Sequence, residues 1–196
     1  MDTSTILWIL LPLLLIYLIY IYNNLVSLNA KQKNFFSQID IQLKRRYDLI
    51  PNLVETAKKY MQHEEETLTK VIEARNIAKN SLAEVQKNFN SQNIKNLIEK
   101  ENGFISALSG LSFVMEDYPE LKADSIIKNL QEELSSTENK IAFARQAYND
   151  SVMRYNIFRQ SFPNNIFSNI FGHSIDANLL QFEDTSEIRK SVKVSF

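Results

Sequence analysis

The chain has no cysteine in its 196 residues. Disulfides, thiol nucleophiles and thiolate metal sites are excluded at once, although the redox compartment is left open. Glycine and proline are scarce, at three and four residues. Loops and sheets ordinarily use more of both, so their scarcity favours long helices. No charge of either sign is in excess: 22 Lys+Arg against 23 Asp+Glu leave a net charge of −1. A bulk electrostatic drive toward nucleic acid is therefore missing, and no nucleic-acid partner is expected. The length suits one domain plus an appendage.

What the chain does have is an uncharged apolar run at residues 6–22, ILWILLPLLLIYLIYIY. As a helix it rises about 25 Å, enough for a thin membrane span that Leu25 and Val26 extend. Pro12 is tolerated in such a span. Trp8 near one end and Tyr17, Tyr20 and Tyr22 near the other suit the aromatic belts of the two interfaces. A cleaved signal peptide would need a basic stretch before the run and a small-x-small site after it. Only Asp2 and the amino terminus precede it and no such site follows, so a retained anchor is the preferred reading. Lys31, Lys33, Lys44, Arg45 and Arg46 follow the span and no Lys or Arg precedes it. The positive-inside rule then predicts a single pass with a short external N-terminus and a cytoplasmic C-terminal domain.

Beyond the span, one amphipathic seam runs through Phe36, Ile39, Leu43, Tyr47, Ile50, Val54, Ala57, Met61, Glu64, Leu68, Val71, Arg75, Ala78, Leu82 and Val85. Its spacing averages about 3.5 residues, the period of bundle or coiled-coil packing. KNFNSQN, at 87–93, reads as a turn. A second helix is expected over 94–115, with Gly103, Ala107 and Gly110 on a closely packed side, and Pro119 is placed to start the next. That third helix is expected over 120–161 and to end at Pro163. Short turns between amphipathic helices imply antiparallel neighbours. The fold class is all-α: an N-terminal transmembrane helix followed by an antiparallel up-and-down bundle of three to four long helices. The parts are an anchor at 1–27, a bundle at 28–162 and a tail at 163–196. The middle helix is too short to cover its neighbours. Phe162, Ile166, Phe167, Ile170 and Phe171 form one apolar face that caps the overhang or touches the membrane surface; with no basic face beside it, capping is preferred. The final VKVSF alternates as a short extended segment would.

Several ordered blocks carry a family likeness: YNNLV (22–26), IDIQLKRRYDLIPNLVETAKKYMQHEEETLTKVIEAR (39–75), YPELKAD (118–124), LQEELSSTENKIAFARQAYND (130–150), RYN (154–156) and FPNNIF (162–167). On these the chain resembles the LemA family from about residue 20 to the end. It departs at FGHSID (171–176), where members often carry a more apolar glycine-phenylalanine run, and in a shortened polar inter-helix loop. The resemblance implies a bacterial membrane-anchored helical bundle without established catalytic activity or cofactor. Some members are connected with membrane organisation, including a magnetosome-forming relative, and others with membrane proteases or stress-associated operons.

Chemistry-bearing residues are few. His63-Glu64 begins an HExxH pattern, but position 67 is Thr67, so the second imidazole needed on the same helical face is missing and no metal is expected. The seam turns Glu64 toward other helices, where a carboxylate needs a partner. Arg75 and Arg145, with Glu138 and Asn139, are candidates for one interhelix polar network. Lys44, Arg45 and Arg46 lie between seam positions and are read as a solvated outer face, with lipid or a partner as the sharper alternative. Pro51, with Asp48 available as a cap, marks a hinge: a kink near 47–51 within roughly collinear segments, or a turn. The functional expectation is a non-enzymatic membrane-anchored scaffold of the bacterial inner membrane, touching the lipid bilayer and self-associating. The alternative is a regulatory adaptor for a membrane-protein partner such as a protease.

Overall fold

The computed structural model describes residues 3–182, with side chains from residue 7 onward. Helix α1 runs unbroken over Thr3–Lys58 and contains both Pro12 and Pro51. It is followed by α2 (Glu65–Lys87), α3 (Ser91–Val114), a single 3-10 turn (Met115–Asp117), α4 (Pro119–Ala123), α5 (Ser125–Gln160) and α6 (Asn164–Ile170). Among the described residues there is no strand. The segment 192–196, where an extended stretch is expected, lies outside the described residues.

The helix expected to continue from 36 to 85 is two helices. The chain reverses at 59–64, not at Pro51, and α2 returns along α1: Gln86 donates to Asp40 and Arg75 Nε to the Tyr47 carbonyl. The reversal is built on end effects. Lys58 and Lys59 suit a helix C-terminus, Glu65 and Glu66 the first turn of the next helix, where the macrodipoles favour those signs. Met61 plugs the turn with its side chain wholly buried, while Tyr60 donates to Asp124 of the α4–α5 junction at 2.9 Å. A seam that keeps its phase through a tight turn looks continuous when only spacing is counted.

Two pairs of helices of matched length result. The long α5 lies antiparallel along the part of α1 beyond the apolar run. Tyr155 packs against Ile21 and Leu25 at one end, and Tyr60 meets Asp124 at the other. The shorter α2 and α3 form a hairpin through an Asn90 N-cap that accepts from Asn93 N–H at 2.8 Å. The expected helix over 120–161 is split by Asp124, whose carboxylate accepts from the N–H groups of Ile126 and Ile127 and starts α5 afresh. The core joins Phe36, Ile39, Leu43, Tyr47 and Ile50 of α1 to Leu82 and Val85 of α2, Phe104 of α3 and Ile141 and Tyr148 of α5. Gly103 and Gly110 do not mark close packing: a Cβ added at either meets no atom within 4 Å.

After α6 the chain runs back along α5 and does cover the bundle. Asn149 and Asn156 act as staples. Each uses its amide to pair a backbone N–H and a backbone C=O, those of Leu180 for Asn149 and of Ala177 for Asn156, at 2.8–3.0 Å. Asn178 donates to the Ser91 carbonyl, tying the run to the start of α3, and Leu180 and Phe182 are buried beneath it. Phe167 of α6 and Phe171 just after it pack on Ile21 and Leu25, whereas Phe162, Ile166 and Ile170 face outward. The single apolar face read from the sequence is thus divided between an inner and an outer stripe.

Candidate functional site

The polar centre of the bundle is Arg46. Its side chain is 2% exposed, so the reading of Lys44, Arg45 and Arg46 as one solvated face holds for the first two only. The reason lies in the width of the α1 seam. Positions 39, 43, 47, 50 and 54 give one path in steps of three and four residues, and 39, 43, 46, 50, 53 and 57 give another of equal quality. Because α1 packs against both α2 and α5, both paths are covered, and Arg46 is buried with Leu53 and Ala57. Lys44 instead pairs with Asp40 at 3.0 Å, and Arg45 lies 3.8 Å from Glu133, both pairs in reach of solvent.

Arg46 joins three helices. Nη2 donates to Glu101 Oε2 of α3, Nη1 to Glu138 Oε2 of α5 at 2.7 Å, and the guanidinium sits 5.3 Å from the centroid of the Phe104 ring. The Tyr47 hydroxyl donates to the other oxygen of Glu101. Glu101 is fully buried. Burial pulls the Arg46 pKa down, but Glu101 and Glu138 more than offset it, so the guanidinium is held charged. Burial pushes the Glu101 carboxyl up, against the pull of Arg46 and Tyr47. Burial and the charge of Glu101 raise the Tyr47 phenol, which keeps it a donor. The cluster is a charge-assisted clasp between α1, α3 and α5.

Beside it a groove opens between α3 and α5, a cavity of about 260 Å³ lined by Leu53, Leu108, Leu111, Met115 and Leu134, with Ser112, Gln131 and Ser135 at its polar side. Arg46 and Glu138 form part of its wall. Arg46 Nε and Glu138 Oε1 are buried and make no hydrogen bond among the described residues. A donor and an acceptor left without partners on two residues of one groove wall are what a carboxamide can satisfy.

The remaining candidates separate. Arg75 and Glu64 do not meet. Arg75 Nε donates to the carbonyl of Tyr47 at 2.9 Å, with Asp48 3.8 Å from its Nη2. Tyr47 is the residue four before Pro51, so its carbonyl is the one that proline cannot serve. Glu64 sits at the start of α2, where it bonds Tyr118 and raises that phenol, after burial, above the ordinary value. Glu138 does belong to the interhelix network, through Arg46; Asn139 is exposed on α5. Arg145 is buried with its guanidinium 5.0 Å from the Phe182 ring centroid. Trp8, Pro12, Tyr17, Tyr20 and Tyr22 all lie on α1. Tyr17 stacks on Tyr20, Tyr20 meets Phe158 edge-on and Tyr22 meets Phe171. Glu101 was missed from sequence because it stands one residue before Asn102-Gly103, where no carboxylate of a pair was expected. Its spacing from Ile94, Leu97 and Phe104 on one buried face was the readable signal.

The sequence from residue 35 to residue 196, which takes in the bundle helices and the Arg46–Glu101–Glu138 cluster, matches the model of the LemA family. The chain belongs to the LemA family. Among curated proteins, this LemA chain is similar to the magnetosome proteins MamQ 1 and MamQ 2 of Paramagnetospirillum magneticum (strain ATCC 700264 / AMB-1). Each is 25% identical over 167 residues, covering 77% of this chain and 61% of the relative. The matched stretch therefore spans less than two thirds of those relatives' own length. The α1 helix of this LemA protein is long and apolar enough to cross a membrane, with its apolar part almost wholly exposed.

Proposed function

We propose that this LemA-family protein is a single-pass, non-enzymatic scaffold of the bacterial cell membrane, working through its helix surfaces and by self-association. The observation that carries the reading is the continuity of α1. Leu7, Trp8 and all the apolar residues up to Tyr20 except the half-buried Leu18 are exposed side chains that a nonpolar solvent accommodates, and the same helix is the central strut of the bundle. A helix without a linker holds the bundle at a fixed height above the bilayer, which suits a part that positions others. The Lys/Arg asymmetry supports a cytoplasmic bundle, as the positive-inside rule expects. The likeness to two proteins named for magnetosomes agrees with a role in membrane organisation. A cleft between α1 and α5, with the exposed Phe143 and the buried, unpaired Gln42 Oε1, is a surface available to a second copy. Sedimentation of the full chain in nanodiscs and detergent should reveal concentration-dependent oligomers; a monomer throughout would count against self-association.

One observation favours a second reading, a regulatory adaptor for a membrane enzyme. The α3–α5 groove pairs an apolar floor with the unmatched Arg46 Nε and Glu138 Oε1, a combination suited to an apolar segment carrying Asn or Gln. Photocrosslinkers at Leu108 and Gln131 in living cells should then capture a different membrane protein. Recovery of self-contacts alone would leave the scaffold reading standing.

A further inference from the structure

The position of α6 relative to the apolar run leads to a second contact with the membrane. About twenty helical residues are needed to cross a hydrocarbon core of about 30 Å. Counted from Ile6, the first apolar residue after the polar DTST at 2–5, that requirement carries the core to Leu25. Yet Ile21 and Leu25 are fully buried in protein, under Tyr155, Phe167 and Phe171. Tyr22 lies 5.4 Å from Phe171 and Tyr20 6.5 Å from Phe158, ring centroid to centroid. The end of α5 and the whole of α6 are therefore level with the last turns of the span and not clear of them.

The outward side chains there suit that depth. Phe162 is 82% exposed, Ile166 53% and Ile170 74%, and Ile157 on the last turn of α5 is exposed with them. Ile166 and Ile170 are four apart and form one stripe of α6, while Phe167 and Phe171 form the inner stripe against α1. Four large apolar residues facing water at one end of a bundle need an occupant. Their continuity with the lipid-exposed surface of α1 names it. We infer that α6 with the turn before it is an interfacial foot: the outer stripe of Phe162, Ile166 and Ile170 inserts into the boundary between headgroups and acyl chains beside the span. This rests on the membrane-anchor reading above. The foot gives the bundle a second point of support, so that α1 cannot rotate about its own axis.

The chain offers clean probes, having a single tryptophan, Trp8, and no cysteine. The full-length protein is reconstituted into vesicles with and without brominated acyl chains, carrying one polarity-sensitive dye on Ile166→Cys, Ile170→Cys or, as a reference on the middle of α5, Phe143→Cys. The expected result is that brominated lipid quenches Trp8 and the dyes at 166 and 170, the latter several-fold more than the dye at 143. Quenching of Trp8 without quenching at 166 and 170 overturns the foot while leaving the anchor. Failure to quench Trp8 overturns the anchor and the foot together. A dye at 166 that is shielded from water yet untouched by brominated lipid means a protein covers the stripe, which also overturns the proposal. In a dye-labelled Phe162→Cys chain, adding Ile166→Glu and Ile170→Glu should lift the dye out of reach of the brominated lipid while Trp8 stays quenched. Both substitutions are on exposed positions, and unchanged quenching at 162 would count against insertion of the stripe.

Discussion

At the scale of single residues, the bundle answers two local deficits with side chains from elsewhere. Pro51 withholds an N–H from the Tyr47 carbonyl, and Arg75 of α2 supplies one. Arg75→Met should cost about 1–2 kcal/mol of unfolding free energy, the worth of a hydrogen bond to a partly buried carbonyl. Pro51→Ala restores the backbone donor. In that background the cost of Arg75→Met should shrink, and a double-mutant cycle by urea unfolding in detergent reads the coupling. Equal costs in both backgrounds would mean Arg75 serves something other than the proline gap. The second deficit is the buried Glu101, answered by Arg46 and Tyr47. Arg46→Met leaves that carboxylate unpaired and should destabilise by about 3–5 kcal/mol. Adding Glu101→Gln should recover much of the loss. The sign with pH follows: a carboxyl whose folded pKa is raised keeps its stabilising neutral form below the unfolded value and loses it as pH rises. The cost of Arg46→Met should therefore grow from acid toward neutral pH.

At the scale of elements, the tail from 173 to 182 is pinned to α3 and α5 by side-chain hydrogen bonds, and a histidine makes one of them. His173 Nδ1 lies 2.9 Å from the Tyr155 hydroxyl, and burial pulls its imidazole below the ordinary value of 6.5. A depressed histidine contributes stability that is present above the unfolded value and is lost as pH falls through the folded one. In a His63→Gln chain, NMR should find the His173 midpoint below 6.5, with proteolytic cleavage in the tail rising as pH falls through that window. A midpoint at or above the ordinary value would break the link. Asn149 and Asn156 show why such an element is hard to read in advance. Each looks like any polar residue on a helix, and its role as a staple appears only when an extended backbone arrives opposite it. By contrast, the turn at 87–93 and the start at Pro119 were legible, because Asn, Ser and Pro act through their own local backbone. The reversal at 59–64 was written in the Lys58-Lys59 and Glu64–Glu66 charges but hidden by an unbroken seam. Arg46 was hidden by the same cause: spacing alone selects one face, while α1 buries two.

At the scale of the whole molecule, the anchor and the bundle share one helix, and this makes height a measurable property. If the hydrocarbon core ends near Leu25, the 33 residues from Val26 to Lys58 stand about 50 Å above it at 1.5 Å per residue. A linker, or a collapse at Pro51, would bring the far end of the bundle much closer. A fluorescent donor on Gln62→Cys, in the turn beyond α1, and acceptors on the lipid headgroups should report a separation of about 40–50 Å, allowing for the thickness of the headgroup layer. The same labelled residue tests orientation. A membrane-impermeant thiol reagent added to intact spheroplasts should fail to reach position 62 until the cells are lysed, as the positive-inside asymmetry requires. Separation well under that range would mean that α1 bends or lies against the bilayer, and the fixed height on which a positioning scaffold depends would be lost. Labelling of intact spheroplasts would reverse the compartment but not the height. The two readings are independent, because one follows from helix continuity through Pro12 and Pro51 and the other from where Lys31, Lys33 and the cations beyond them fall relative to the span.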